Sequence, residues 1–221
     1  MKRQRITVIL VTFFILLSAG FAFYYYSLSK KMKQPELAIV GEPGQKIRPF
    51  AFLNQEGDTI TDNNVKGKIL VVEYFFTTCK GICPKMNENM SKVYQAYRSD
   101  EDVLILSHTV DPQRDSVPAM KAYSLRFDAD PKRWMFLTGD KQALYDQAYY
   151  SYLITAVEER SANIDEDFIH TQKFVLVDKQ GRLRMRIDKD GKPEAYDGTN
   201  EKSVAQLIDD IKLLETEETD H

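Results

Sequence analysis

The sequence predicts one mixed α/β domain, its sheet flanked by helices on both faces, preceded by a single membrane-spanning helix. Three observations carry this expectation. Residues 6–26 contain no charged side chain. Apolar, β-branched runs then alternate with helical patterns through the middle of the chain. A glycine-containing hairpin and a last amphipathic helix close it.

The chain opens on the basic stretch Met1-Lys2-Arg3-Gln4-Arg5, and the uncharged run from Ile6 to Tyr26 follows. At ~1.5 Å per residue such a run spans a ~30 Å hydrocarbon core. Tyr24, Tyr25 and Tyr26 stand where an interfacial aromatic belt belongs. Lys30, Lys31 and Lys33 balance the basic residues ahead of the span, so charge alone does not set its orientation. The competing reading is a cleaved signal peptide, for which Ser18-Ala19-Gly20 offers small residues. The apolar run is long for that, and residues 1–33 are read as an N-terminal cytoplasmic tail and membrane anchor.

Residues 34–46 read as a linker, residues 47–215 as the folded domain, and 216–221 as an acidic tail. Net charge is -3 and no basic stripe is present, so nucleic acid is not an expected partner. Within the domain, Ile47 to Phe52 and Thr59 to Thr61 flank the turn-rich Asn54-Gln55-Glu56-Gly57-Asp58 and read as a hairpin. Ile69-Leu70-Val71-Val72 reads as a buried strand, interrupted by Glu73, whose carboxylate has no partner evident in the sequence. Pro84 suits a first helical turn, and the helical pattern runs to Tyr97 with Met86, Met90 and Val93 on its core face. Val103 to Val110 is the next strand, Ser116 to Phe127 a helix, and Trp134 to Leu137 a short strand. Lys141 to Leu153 is a tyrosine-rich helix. Phe174 to Asp178 and Leu183 to Ile187 bracket Lys179-Gln180-Gly181 as a hairpin. Val204, Leu207, Ile208, Ile211 and Leu214 mark the last helix.

The only two cysteines, Cys79 and Cys83, fall between the strand at residue 69 and the helix that follows. In open α/β sheets ligands gather at the carboxyl ends of the parallel strands, where Cys79 is expected. At positions i and i+4 of a helical turn the two Cα atoms would lie ~6 Å apart, which suits either a disulfide or two sulfurs on one ion. A helix N-terminus favours thiolate over thiol. A purely structural disulfide closing so small a loop adds roughly 2 kcal/mol, little use to a chain of this length, so the pair reads as functional.

The three histidines differ. His221 is terminal. His108 lies inside the strand Leu104 to Val110 and reads as a packed residue. His170 precedes the strand at Phe174 and follows the acidic Asp165-Glu166-Asp167. On its own it is an ordinary junction residue that can also serve as a ligand.

Three segments together resemble the SCO/SenC family. Phe76-Thr77-Thr78-Cys79-Lys80-Gly81-Ile82-Cys83-Pro84 is similar to its cysteine motif, Val110-Asp111-Pro112-Gln113-Arg114-Asp115 to its second motif, and Ile169-His170-Thr171 to its histidine motif. The order and distances also match, over about residues 36 to 215. The resemblance implies a thioredoxin-like domain on the extracytoplasmic side of a membrane, binding copper through Cys79, Cys83 and His170. Its implied task is to help assemble the dinuclear copper centre of cytochrome c oxidase. Its implied partners are the copper-bearing oxidase subunit and a copper donor protein. Asp111 and Pro112 are expected near the site as a turn, not as ligands. Lys80-Gly81 departs from the family's usual Pro-acidic pair, and His108 is an additional imidazole able to compete for metal.

Two soft thiolates and one imidazole suit Cu(I), and a further weak ligand admits Cu(II). The same donors fit zinc, the principal metal alternative, although no general base for a zinc hydrolase stands beside the motif. The second function class is a thiol-disulfide reductase that keeps the oxidase cysteines reduced. The familiar oxidoreductase signature has two residues between its cysteines, and here there are three. A thiol peroxidase fits less well, because Phe76 stands where that motif requires threonine.

Overall fold

The uncharged N-terminal run folds as part of one long helix, α1 (Lys2–Met32), in a computed structural model that describes residues 2–32, 37–154 and 171–217. Within α1 the stretch Ile6–Ser27 is long and apolar enough to cross a membrane. The helix belongs to one compact unit, Met1–Glu36, and all other described residues belong to a second, Leu37–His221.

The second unit is built on β1 (Leu37–Val40), β2 (Ala51–Leu53), β3 (Thr59–Thr61), α2 (Asp62–Val65), β4 (Ile69–Phe75), α3 (Cys83–Tyr97), β5 (Val103–Thr109), α4 (Val117–Ser124), β6 (Trp134–Leu137), α5 (Lys141–Asp146), β7 (Lys173–Val177), β8 (Leu183–Ile187), β9 (Pro193–Glu194), β10 (Tyr196–Asp197) and α6 (Glu201–Glu217). The main sheet runs β1-β8-β7-β4-β5-β6, with β9 on β8 and β10 on β7. β4, β5 and β6 are parallel, whereas β7 runs antiparallel to β4. β2 and β3 form the separate hairpin expected around Asn54–Asp58, where the Asn54 side-chain oxygen accepts from the Glu56 and Asp58 amides at 2.9 Å.

Every residue of β4 and β5 is buried because helices or loops cover both faces of the sheet, which is why these strands read as solid apolar runs. One face, with Ile69, Val71, Phe75, Ile105 and Trp134, packs against Met86, Met90 and Val93 of α3 and Val204, Leu207 and Ile211 of α6. The other face, with Leu70, Val72, Tyr74, Leu104 and Leu106, packs against Phe52, Leu144, Ala148 and Tyr152. A mixed α/β sheet with helices against it is the expected fold.

Several boundaries differ from the sequence expectation, each for a local reason. Residues 37–40 lie in the stretch read as a linker, yet they form the edge strand β1. Pairing with β8 (Ala38 opposite Met185) and burial of Leu37 hold it there. The expected helix over 141–153 is α-helical only to Asp146. A π-helical turn, Gln147–Ser151, follows, and Leu153 then takes a positive φ of 54°. The expected helix over 116–127 ends as a 3₁₀ turn at Leu125–Phe127, closed by Asp128 in the left-handed region. The short strands β9 and β10 carry too few apolar residues to register as a pattern.

Candidate metal centre

β4 ends at Phe75, whose carbonyl accepts the Val110 amide at 2.9 Å, tying the ends of the parallel strands together. The chain then turns, with the Cys79 amide donating to the Phe76 carbonyl at 3.2 Å, and enters α3 at Cys83. Pro84, lacking an N–H, occupies the first turn of that helix, as the sequence suggested. Cys79 therefore stands in the loop before the helix, not on a shared helical turn with Cys83. Even so, both thiols are free, and Cys79 packs against the apolar cluster that contains Cys83.

Cys83 is buried and Cys79 is half-buried. The expectation that the helix N-terminus favours thiolate is overturned at Cys83. Burial pushes its thiol well above the ordinary range, and the neighbouring Cys79 side chain adds to the shift. Desolvation of a sulfur anion outweighs the helix dipole there. The Asn87 amide group one turn on donates to the Cys83 carbonyl at 3.0 Å, and Asn87 itself is fully buried.

Glu73 lies on the same face of the sheet as the cysteines and is fully buried. The Ser107 hydroxyl donates to its Oε1 at 2.6 Å, and the indole N–H of Trp134 donates to that hydroxyl at 2.8 Å. The other oxygen, Oε2, is buried with no hydrogen-bond partner. Burial raises Glu73 from 4.5 to about 7, against the lowering effect of Ser107. In the second motif, Asp111 pairs with Arg114 at 3.4 Å and its amide donates to the Thr109 hydroxyl at 2.9 Å. Asp115 from the same motif is fully buried and accepts hydrogen bonds from Thr77 in the cysteine loop. Sequence reasoning assigned Asp115 and Thr77 no role. Their only signal was that both fell inside the recognised motifs.

His108 does not reach the cysteines. Its side chain lies on the opposite face of the sheet, stacked on Tyr74 at 5.0 Å and edge-on to Phe52 and Tyr152. It has no exposed surface, and burial lowers it from 6.5 to about 3. The sheet itself bars it from competing for a cation held by the thiols.

His170 and His221 lie outside the described residues. Among the described residues no group of three or more histidine, cysteine, aspartate or glutamate side chains gathers to hold a metal ion. β7, three residues beyond His170, is placed informatively. It pairs antiparallel with β4 (Val72 opposite Val175), so the chain enters β7 at the end of the sheet where β4 delivers the cysteines. Phe174 and Cys83 share one apolar cluster.

Comparisons with known proteins agree on one family. The SCO1/SenC family model matches residues 40–204. The SCO1 protein homolog of Bacillus subtilis (strain 168) is 27% identical over 172 residues, covering 77% of this chain and 83% of its own length. Among solved structures, BsSco, a member of the Sco family of cytochrome c oxidase assembly proteins in which a disulfide switch was identified, superposes with a TM-score of 0.62 at 26% identity. That match covers 80% of this chain and 96% of BsSco. Bradyrhizobium japonicum ScoI with copper bound superposes with a TM-score of 0.56 at 26% identity, covering 74% and 98% of the two chains. The fold is accordingly the thioredoxin-like one of the Sco structures, and the chain belongs to the SCO1/SenC family.

Proposed function

We propose that this protein is a membrane-anchored copper metallochaperone that helps assemble the dinuclear copper centre of cytochrome c oxidase, with Cys79, Cys83 and His170 as its copper donors. The observation that carries this reading is the placing of two free thiols, Cys79 packed against the cluster that holds Cys83, at the carboxyl end of β4 and inside the family's cysteine motif. Paired soft sulfurs suit Cu(I) better than a hard cation. Entry of the chain into β7 at the same end of the sheet favours His170 as the third donor. The three residues from His170 to Lys173 span at most ~10 Å of chain. The copper-bound Bradyrhizobium relative supports copper as the cargo.

The residues divide the work by position. Cys79, half-buried, is the sulfur that a donor or acceptor protein reaches first. Cys83, buried behind it, gives up its proton only when a cation replaces the lost charge. Copper, when bound, would be passed between soft ligand sets. The helix over residues 6–27 holds the domain at a membrane, on the extracytoplasmic side where the copper-bearing oxidase subunit and a copper donor are met.

A second reading, thiol-disulfide reductase, is favoured by the unequal exposure of the two thiols and by the disulfide switch of BsSco. His170→Ala separates the two, because exchange proceeds through a mixed disulfide without an imidazole, whereas delivery needs all three donors. Oxidase activity in cells carrying this variant at equal protein level is expected to fall to that of a deletion strain. Normal maturation with His170→Ala moves the assignment to the reductase.

A further inference from the structure

Between Phe76 and Ile82 the chain is largely exposed, with Cys79 the residue that packs against the apolar cluster containing Cys83. Thr78, Lys80, Gly81 and Ile82 are exposed, and a Cβ built on Gly81 meets nothing within 4 Å. The Cys79 amide reaches back to Phe76, and beyond that the strongest restraint comes from a different segment of the chain. Asp115, fully buried, accepts the Thr77 amide at 3.1 Å and 3.3 Å on its two oxygens. The Thr77 hydroxyl donates to Oδ1 and the Thr109 hydroxyl donates to Oδ2 at 2.5 Å. The Thr109 hydroxyl in turn accepts the Asp111 amide. A single carboxylate thus joins the loop after β4, the end of β5 and the second motif. Arg114 is committed to Asp111, so the Asp115 charge is met by these donors. A carboxylate is suited to this place because it accepts on both oxygens at once, which asparagine does not.

We propose that Asp115 is a positioning residue for the cysteine pair: by clamping Thr77 it fixes Cys79 beside Cys83 and so sets the stability of their disulfide. In the reduced form Cys79 already packs against the apolar cluster that contains Cys83. Releasing Thr77 lets Cys79 wander and lowers the effective concentration of one thiol at the other. The disulfide then becomes easier to reduce. The consequence for copper rests on the function proposed above, since a wandering sulfur also binds a shared ion less well, but the consequence for the disulfide does not.

The test is a redox equilibrium of the full-length chain in detergent micelles, without metal, in mixtures of reduced and oxidised glutathione. In the forward direction Cys79 and Cys83 give up two protons and two electrons, one S–S bond forms between them, and glutathione disulfide becomes two glutathione thiols. Trapping with a maleimide reports the fraction oxidised. Thr77→Val, which keeps the amide and the volume but loses the hydroxyl, is expected to lower the equilibrium constant about 3-fold or more. Asp115→Asn is expected to lower it about 10-fold, or about 30 mV for a two-electron couple. Thr77→Ser, which restores the hydroxyl, is expected to return the wild-type value. An unchanged constant in a folded Thr77→Val variant overturns the clamp, whether or not Asp115→Asn folds. Failure of the wild-type protein to bind copper would overturn the proposed function and leave this result standing.

Discussion

Replacing Glu73 by glutamine isolates the cost of keeping a carboxyl group under the cysteine site. Glu73 sits opposite Ser107 in the register of β4 and β5, fully buried, with one oxygen hydrogen-bonded and the other without a partner. Burial raises it from 4.5 to about 7. The unfolded chain therefore releases this proton near pH 4.5, while the folded chain holds it until about pH 7. Stability from this group is fully present below pH 4.5, declines as pH rises through that window, and is level again above it. At 1.36 kcal/mol per pH unit the loss amounts to about 3 kcal/mol. Glutamine cannot ionise, and its carbonyl still accepts from Ser107. Glu73→Gln should therefore differ from wild type by a fixed amount at pH 4 and gain about 3 kcal/mol on it by pH 8. For a chain of this size that gain corresponds to roughly 6–12 °C in melting temperature. Urea unfolding of both proteins in micelles, followed by circular dichroism from pH 4 to 8, supplies the comparison. A difference between the two that stays flat across this range refutes the reasoning, because Glu73 would then be ionised in the folded state as readily as in the unfolded one.

The opposite sign is expected at His108, which burial lowers from 6.5 to about 3. The folded chain keeps this imidazole neutral to about pH 3, while the unfolded chain takes up the proton near pH 6.5. Stability from the group is therefore fully present above pH 6.5 and is lost as pH falls toward 3, about 2 kcal/mol by pH 5. His108→Phe, which fits a ring between Tyr74, Phe52 and Tyr152, should remove that acid sensitivity in a urea titration; parallel pH profiles would contradict it. Gly198→Ala should cost about 1–3 kcal/mol, because its Cβ would lie 2.6 Å from Phe174 and 3.0 Å from the Gln172 carbonyl. A wild-type urea midpoint in that variant would show that the buried Phe174 ring moves aside freely.

The strands and helices around the site were legible because they obey simple periods. β4 and β5 are apolar at every position since both of their faces are covered, and Met86, Met90 and Val93 recur at helical spacing. The site's two thiols were legible too, being the only cysteines and lying at a strand-helix junction. What escaped depends on contacts distant in sequence. Leu37–Val40 is a strand only because β8, far along the chain, offers it an edge. The clamp on Thr77 comes from Asp115, and the partner of Glu73 comes from Ser107 on the neighbouring strand. The direction of the Cys83 shift was misjudged for a related reason. The helix N-terminus is visible in local sequence, but the burial that outweighs it is a property of the packed domain. His108 could be placed in a strand but not on a face, and the face decides that it is remote from the thiols.

The most direct test of the copper assignment is Cu(I) uptake by the reduced and the disulfide forms of the full-length protein, against a competing chelator, with X-ray absorption on the loaded sample. A disulfide consumes both thiolates, and a lone imidazole does not retain Cu(I) under competition. The reduced protein is expected to hold one copper per chain with two sulfur neighbours and one nitrogen neighbour, and the oxidised protein essentially none. Equal uptake by the two forms, or a loaded site without sulfur, would contradict the assignment of copper to Cys79, Cys83 and His170.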